Sequence, residues 1–412
     1  MELCDRRQFG LLCHPNGTVY IGSLDDNVYA LYAYTGTKIW SCKTGGEFLM
    51  DSSPAVANGI VYIGSADHNV YALNANTGTK IWSYKTGSFV SSSPTVTNGI
   101  VYVSSEDNNT YALNATTGAK IWNYTTGGEV YSSPAVANGI VYVGSNDKNV
   151  YALDANTGTK MWSYTTGSVV APSPDNRVFS PLTVANGIVY VGSNDKNVYA
   201  LNANTGTKIW SYTTGDSVFS SPNVANGIVY VGSNDHYIYA LDANTGTKVW
   251  SYVKEVPGYA KGYWTFSSPT VANGIVYVGS NDKNVYALDA NTGTKMWSYT
   301  IGDSDNDSPN VFSKPAVANG IVYVGYGGHY IYALDATNGT KVWEYTTDDV
   351  KAGQVLSTPI IANGFVYVGS DVGNVYALHA WTGTKVWSYP TRYPLFSSPT
   401  VTNGIVYVGA IL

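Results

Sequence analysis

Between residues 132 and 164 short apolar runs alternate with short polar ones, in the order SSPAVANGIVYVGSNDKNVYALDANTGTKMWSY. The apolar runs cover residues 134–137, 140–144, 150–153 and 160–164. Each is too short for a typical helix, no helical period competes, and Val and Tyr enrichment favours strands. The breaks between them are turns with a mechanism. Asn138-Gly139 suits a two-residue primed turn, whose two central residues both need positive φ. Ser145 to Asn149 is a polar turn whose Asn and Asp side chains can hydrogen-bond their own backbone. A third turn, 154–158, leads into the fourth strand.

This unit recurs along the chain at a period near 40 residues, marked by Trp40, Trp82, Trp122, Trp162, Trp210, Trp250, Trp297, Trp343 and Trp387. A unit copied at such a period must stack on its neighbours to bury its apolar faces. Four antiparallel strands per copy predict an all-β propeller, a single domain over residues 1–412, in which blades covered on both faces tolerate apolar runs such as Ile-Val-Tyr-Val. The repeated Trp is expected to plug the seams between blades, its ring N–H finding an acceptor nearby. A closed ring leaves no open edge, and the usual device is a blade assembled from both termini. Residues 399–401, within closing strands at 393–412, can complete the first blade from inside. Residues 405–408 then duplicate 18–21, so one of the two is surplus. Nine blades is the expectation; eight blades plus a surplus partial blade is the alternative.

Ala152, Asp154, Thr157, Gly158 and Trp162 form the pattern A-x-D-x-x-T-G-x-x-x-W, repeated at Ala240 to Trp250 and at Ala287 to Trp297. It resembles the tryptophan-docking motif of the pyrroloquinoline quinone (PQQ) repeat family. Other copies drift at the acidic position, to Asn74, Asn114 and Asn202, and further to Tyr32 and His379. The resemblance implies a propeller, and it implies no single function, because such folds host both quinone enzymes and non-catalytic members. Quinone dehydrogenases of the family carry adjacent cysteines over the cofactor, a calcium ligand set and a catalytic Asp. No two cysteines are adjacent here, and no position matches those ligands.

Charge narrows the partners. The net charge is −6, only 12% of residues are charged, and no basic run exists, so nucleic acid is not expected. Lys160, Lys208 and Lys295 fall at one position of the fourth strand and read as a solvated edge. No apolar run is long enough to span a membrane. The start, MELCDRRQFG, lacks the apolar middle of a signal peptide, so the chain is expected to be a piece of a longer protein or to stay inside. Cys4, Cys13 and Cys42 all lie in the first copy and suggest no disulfide framework. Cys42 stands where other copies have Tyr and reads as a packing substitution. Sequons at Asn16, Asn114, Asn123, Asn306 and Asn338 would suit an exported protein.

The candidate chemistry sits in longer connections at residues 168–180, 253–265, 301–313 and 347–356, all joining the last strand of one copy to the first of the next. Equivalent connections should emerge on one face, and loops on a rigid scaffold commonly carry function. The second holds Tyr259, Tyr263, Trp264 and Phe266, aromatics that could anchor a protein partner or stack on a sugar. In the third, Asp303, Asp305 and Asp307 alternate as in calcium loops, but the sixth position is not Gly and the twelfth is Lys314. No phosphate loop, zinc pair or nucleophile elbow appears. These features lead to the expectation of a non-catalytic protein-binding or scaffolding propeller without cofactor or catalytic residues, at the cell surface, outside the cell or in the periplasm. The alternatives are a PQQ- and calcium-dependent dehydrogenase and a carbohydrate-binding propeller.

Overall fold

Asn138 and Gly139 adopt φ of 50° and 76°, which confirms the primed turn and folds Ala135–Ala137 back onto Ile140–Gly144. The computed structural model describes residues 18–23, 27–45, 52–167, 182–253, 267–280, 282–302, 313–327, 329–347, 355, 357–371, 373–391, 395 and 398–402. Within the same repeat, Ile140–Gly144 pairs with Asn149–Asp154, and that strand with Lys160–Thr165, all antiparallel. The described strands form nine such four-stranded sheets, the nine blades of the expected propeller, with no helix among the described residues.

The ring closes as a shared blade. Thr400–Thr402 pairs antiparallel with Thr18–Gly22, Val401 opposite Val19, and becomes the innermost strand of a sheet whose other members come from the start of the chain. The inner strand thus begins one residue later than the expected 399–401, because proline has no N–H for a ladder. Thr18–Gly22 occupies the second position; its competitor, residues 405–408, lies outside the described residues.

Each apolar cluster spans two consecutive blades. Tyr142, Val150, Ala152 and Trp162 of the fourth blade pack with Val189, Val191, Tyr199, Leu201 and Ala203 of the fifth. The last seam joins Trp387 and Tyr367 to Val19, Ile21 and Leu31. A β-bulge in the outer pair decides which residue of Lys-Met-Trp enters the seam: Ala152 faces Trp162, Leu153 faces Lys160, and Met161 is left 48% exposed. The Trp162 indole N–H donates to Ala203 O of the next blade at 2.9 Å, and the Tyr142 hydroxyl donates to the same oxygen at 3.1 Å. This shared acceptor repeats at Ala75, Ala115, Ala155, Ala243 and Ala290. Cys42 is a free thiol packed beside Trp40, as a packing substitution would be.

Candidate functional site

Several repeated polar residues hold neighbouring blades together. Asp147, read as a turn former, accepts from the Asn149 N–H at 3.0 Å, as expected. Its other oxygen accepts from the Tyr151 hydroxyl and from the N–H of Gly127 in the preceding blade, both at 2.6 Å. The arrangement recurs at Asp107 with Tyr111 and Gly87, and at Asp235 with Tyr239 and Gly215. The clasp between blades was missed, although the recurring Asp-x-x-x-Tyr spacing signals half of it. In the eighth repeat the sequence has Gly328 at this position, and the Tyr332 hydroxyl accepts directly from the Gly302 N–H at 3.3 Å.

Burial raises the Asp147 carboxyl pKa, but hydrogen bonds from Tyr151, Gly127 and Asn149 outweigh it and hold the group below its usual 3.8. A carboxyl depressed in the folded state contributes stability above its unfolded pKa and loses it as pH falls through the folded one. Asp147→Asn is therefore expected to destabilise the protein at pH 7 and to cost less near pH 3, read as urea midpoints. An equal cost at both pH values would remove the carboxylate from the explanation.

The innermost strands meet around the axis of the ring, and two belts of hydrogen bonds tie them. The Ser93 hydroxyl oxygen accepts from the Ser53 N–H, Ser133 from Ser93, Ser268 from Ser221 and Ser398 from Thr358, each at 3.0 Å. Two residues further on, the hydroxyls of Thr95, Thr183 and Thr270 donate to the carbonyls of Pro134, Pro222 and Pro315 at 2.6 Å. At the first belt the nine repeats carry six serines, a threonine, a proline and, in the eighth, Lys314. Lys314 is solvent-exposed in area yet enclosed by the surrounding blades, and that enclosure lowers its ammonium pKa. We take both as the sign of a side chain in a narrow, wet hub, since water reaches it while protein surrounds it. The same blade departs again at Tyr326, fully buried where other blades have a small serine.

The described ends of the long connections lie on one face. The Thr166, Ile301 and Thr347 N–H groups donate to the carbonyls of Lys148, Lys283 and His329, all in turns between second and third strands. Tyr259, Tyr263, Trp264 and Phe266 lie outside the described residues, as do Asp303, Asp305 and Asp307. Among the described residues no group of three or more His, Cys, Asp or Glu could hold a metal ion.

The opposite face carries aromatics that the pattern only hinted at through Tyr32 and His379. In the closing seam Tyr34 meets Phe365 edge-on at 5.5 Å, and Phe365 meets His379 at 6.1 Å. Trp381 stands 53% exposed in the following turn.

The family described as outer membrane protein assembly factor BamB matches the chain at residues 8–95, 87–179, 170–329 and 327–411. No curated protein sequence matches. Among solved structures, BamB from Moraxella catarrhalis superposes with a TM-score of 0.60 at 18% identity, over 81% of this chain and 95% of that one. A europium-containing methanol dehydrogenase superposes at 0.55 with 15% identity, over 85% and 81% of the two chains. A quinohemoprotein alcohol dehydrogenase from Comamonas testosteroni gives 0.56 at 17%, over 82% and 73%. Identities this low speak for the shared fold alone.

Proposed function

Because the chain belongs to the family of the outer membrane protein assembly factor BamB, we propose that it is a non-catalytic propeller that binds a protein partner in the cell envelope or at the cell surface. The observation that carries this reading is geometric. The described ends of the lengthened connections are hydrogen-bonded into turns of one face, while the blades beneath repeat with little variation. A rigid ring with variable loops on one side presents a surface at little conformational cost.

A quinone enzyme would use the hub, and the described hub residues do not fit that cofactor. Pyrroloquinoline quinone carries three carboxylates, whereas the inner belt supplies one cation, Lys314, among serine and threonine hydroxyls that are largely engaged between blades. Cys42 lies on the outermost strand, Lys38–Lys43, away from the hub.

Biolayer interferometry against the outer-membrane assembly proteins of the source organism tests the proposal. Replacing residues 255–264 with a Gly-Ser pair should weaken binding about tenfold or more, the loss expected when an anchoring segment is removed. Thr337→Ala, on the opposite face, should leave it unchanged. Equal effects from both faces would refute the display reading, as would saturable binding of the quinone with calcium accompanied by dye-linked oxidation of an alcohol.

A further inference from the structure

Copies this similar face the same packing problem, so a departure at one copy is not demanded by the fold. Lys314 departs from the hub belt in two ways at once. It supplies no hydroxyl acceptor: the N–H groups of Ser53, Ser93 and Ser221 are each capped by a serine of the next blade, whereas those of Ser268, followed around the belt by Lys314, and of Ser133, followed by Pro181, have no hydrogen bond to a described residue. The N–H of Lys314 itself has none either. It also adds a cation, and no described residue forms an ion pair or hydrogen bond with that ammonium. Two backbone donors and an ammonium therefore occupy adjoining positions of one belt, within the ring of blades, without an acceptor among the described residues. Water reaches these donors, but the protein around them screens charge less than bulk water does, so an anion that matched them would be held more strongly there than at an open surface.

We propose that the hub at the eighth blade is a carboxylate-binding site, with the Lys314 ammonium paired to one carboxylate and the Ser268 and Lys314 N–H groups donating to its oxygens. One cation balances one negative charge. A phosphate dianion or a tricarboxylate would leave charge uncompensated in the enclosed hub, whereas a monocarboxylate matches both the charge and the donors. The carboxylate belongs either to a free small acid or to an acidic side chain that a partner inserts along the axis. The site does not depend on the display reading, because it uses none of the long connections.

The test is 19F relaxation of 4-fluorobenzoate with the purified full-length chain. Saturable broadening, displaced by acetate, is expected. Lys314→Ser restores the residue that six repeats carry and should bind the probe about tenfold or more weakly, the effect of losing one charge-assisted hydrogen bond. It should melt no lower than the parent, which separates lost binding from lost folding. Lys314→Arg should retain binding. Displacement by a short amidated peptide with one Glu, and not by its Gln counterpart, assigns the carboxylate to a partner side chain; displacement by acetate alone assigns it to a free acid. Equal probe affinity in the parent and Lys314→Ser, or no saturable binding to the parent, overturns the proposal.

Discussion

Gly206→Ala is expected to destabilise the ring far more than Gly187→Ala, although both replace a left-handed glycine of the fifth repeat. Their φ values are +70° and +75°, so a side chain costs both positions the same left-handed penalty, about 1–2 kcal/mol. The surroundings differ. A Cβ at Gly187 would meet nothing within 4 Å, whereas at Gly206 it would lie 2.5 Å from Cδ2 of the Trp162 indole. The indole is wedged between two blades and bonded to Ala203 O. It cannot withdraw without breaking that bond, so overpacking should add about 1–3 kcal/mol. Urea midpoints of the two variants and solvent exchange of the Trp162 indole proton measure this. Equal losses, with the indole still protected in both, would show that backbone conformation alone selects glycine in the Thr-Gly turn.

Ending the chain before Thr400 should open the ring. The strand Thr400–Thr402 is the only described partner on the inner side of Thr18–Gly22, and its loss uncovers a strand edge flanked by Val19 and Ile21, both fully buried in the closed ring. Three residue pairs disappear, on the order of 3 kcal/mol of net hydrogen bonding. A bare edge also recruits other chains. Light scattering should show oligomers or aggregates, and hydrogen exchange should lose protection first at residues 18–20. A truncated protein that stayed monomeric, with unchanged protection there, would mean that the seam between Trp387 and Ala33 closes the ring by itself.

The blade was legible because its determinants are local. Asn138-Gly139 announces its turn by residue type, and runs such as Ile-Val-Tyr-Val announce strands covered on both sides. The Trp period announced the seams, and the indole N–H did find a carbonyl there. The closure was legible only in part, since residues 18–21 and 405–408 carry the same pattern and only pairing shows that Thr18–Gly22 takes the place. The site was harder still. Asp147 looked like a turn former because its contacts within the turn are near in sequence, while Gly127 is 20 positions away in another blade. Lys314 was counted as a failed twelfth ligand of a calcium loop, when its place is in the hub belt with Ser268 and Thr358.

The sequence alone therefore determined the repeated four-stranded sheet, its turns and its Trp-marked edge, because hairpin and strand preferences act within a few residues. Only the tertiary structure decided that Thr18–Gly22 takes the second place in the blade both ends share, why glycine follows threonine over the neighbouring indole, and what faces the axis. Those outcomes depend on contacts between copies, from 33 positions apart for Trp122 and Ala155 to 354 for Trp387 and Ala33, and a pattern repeated nine times assigns the same local code to every copy without saying which neighbour it will meet.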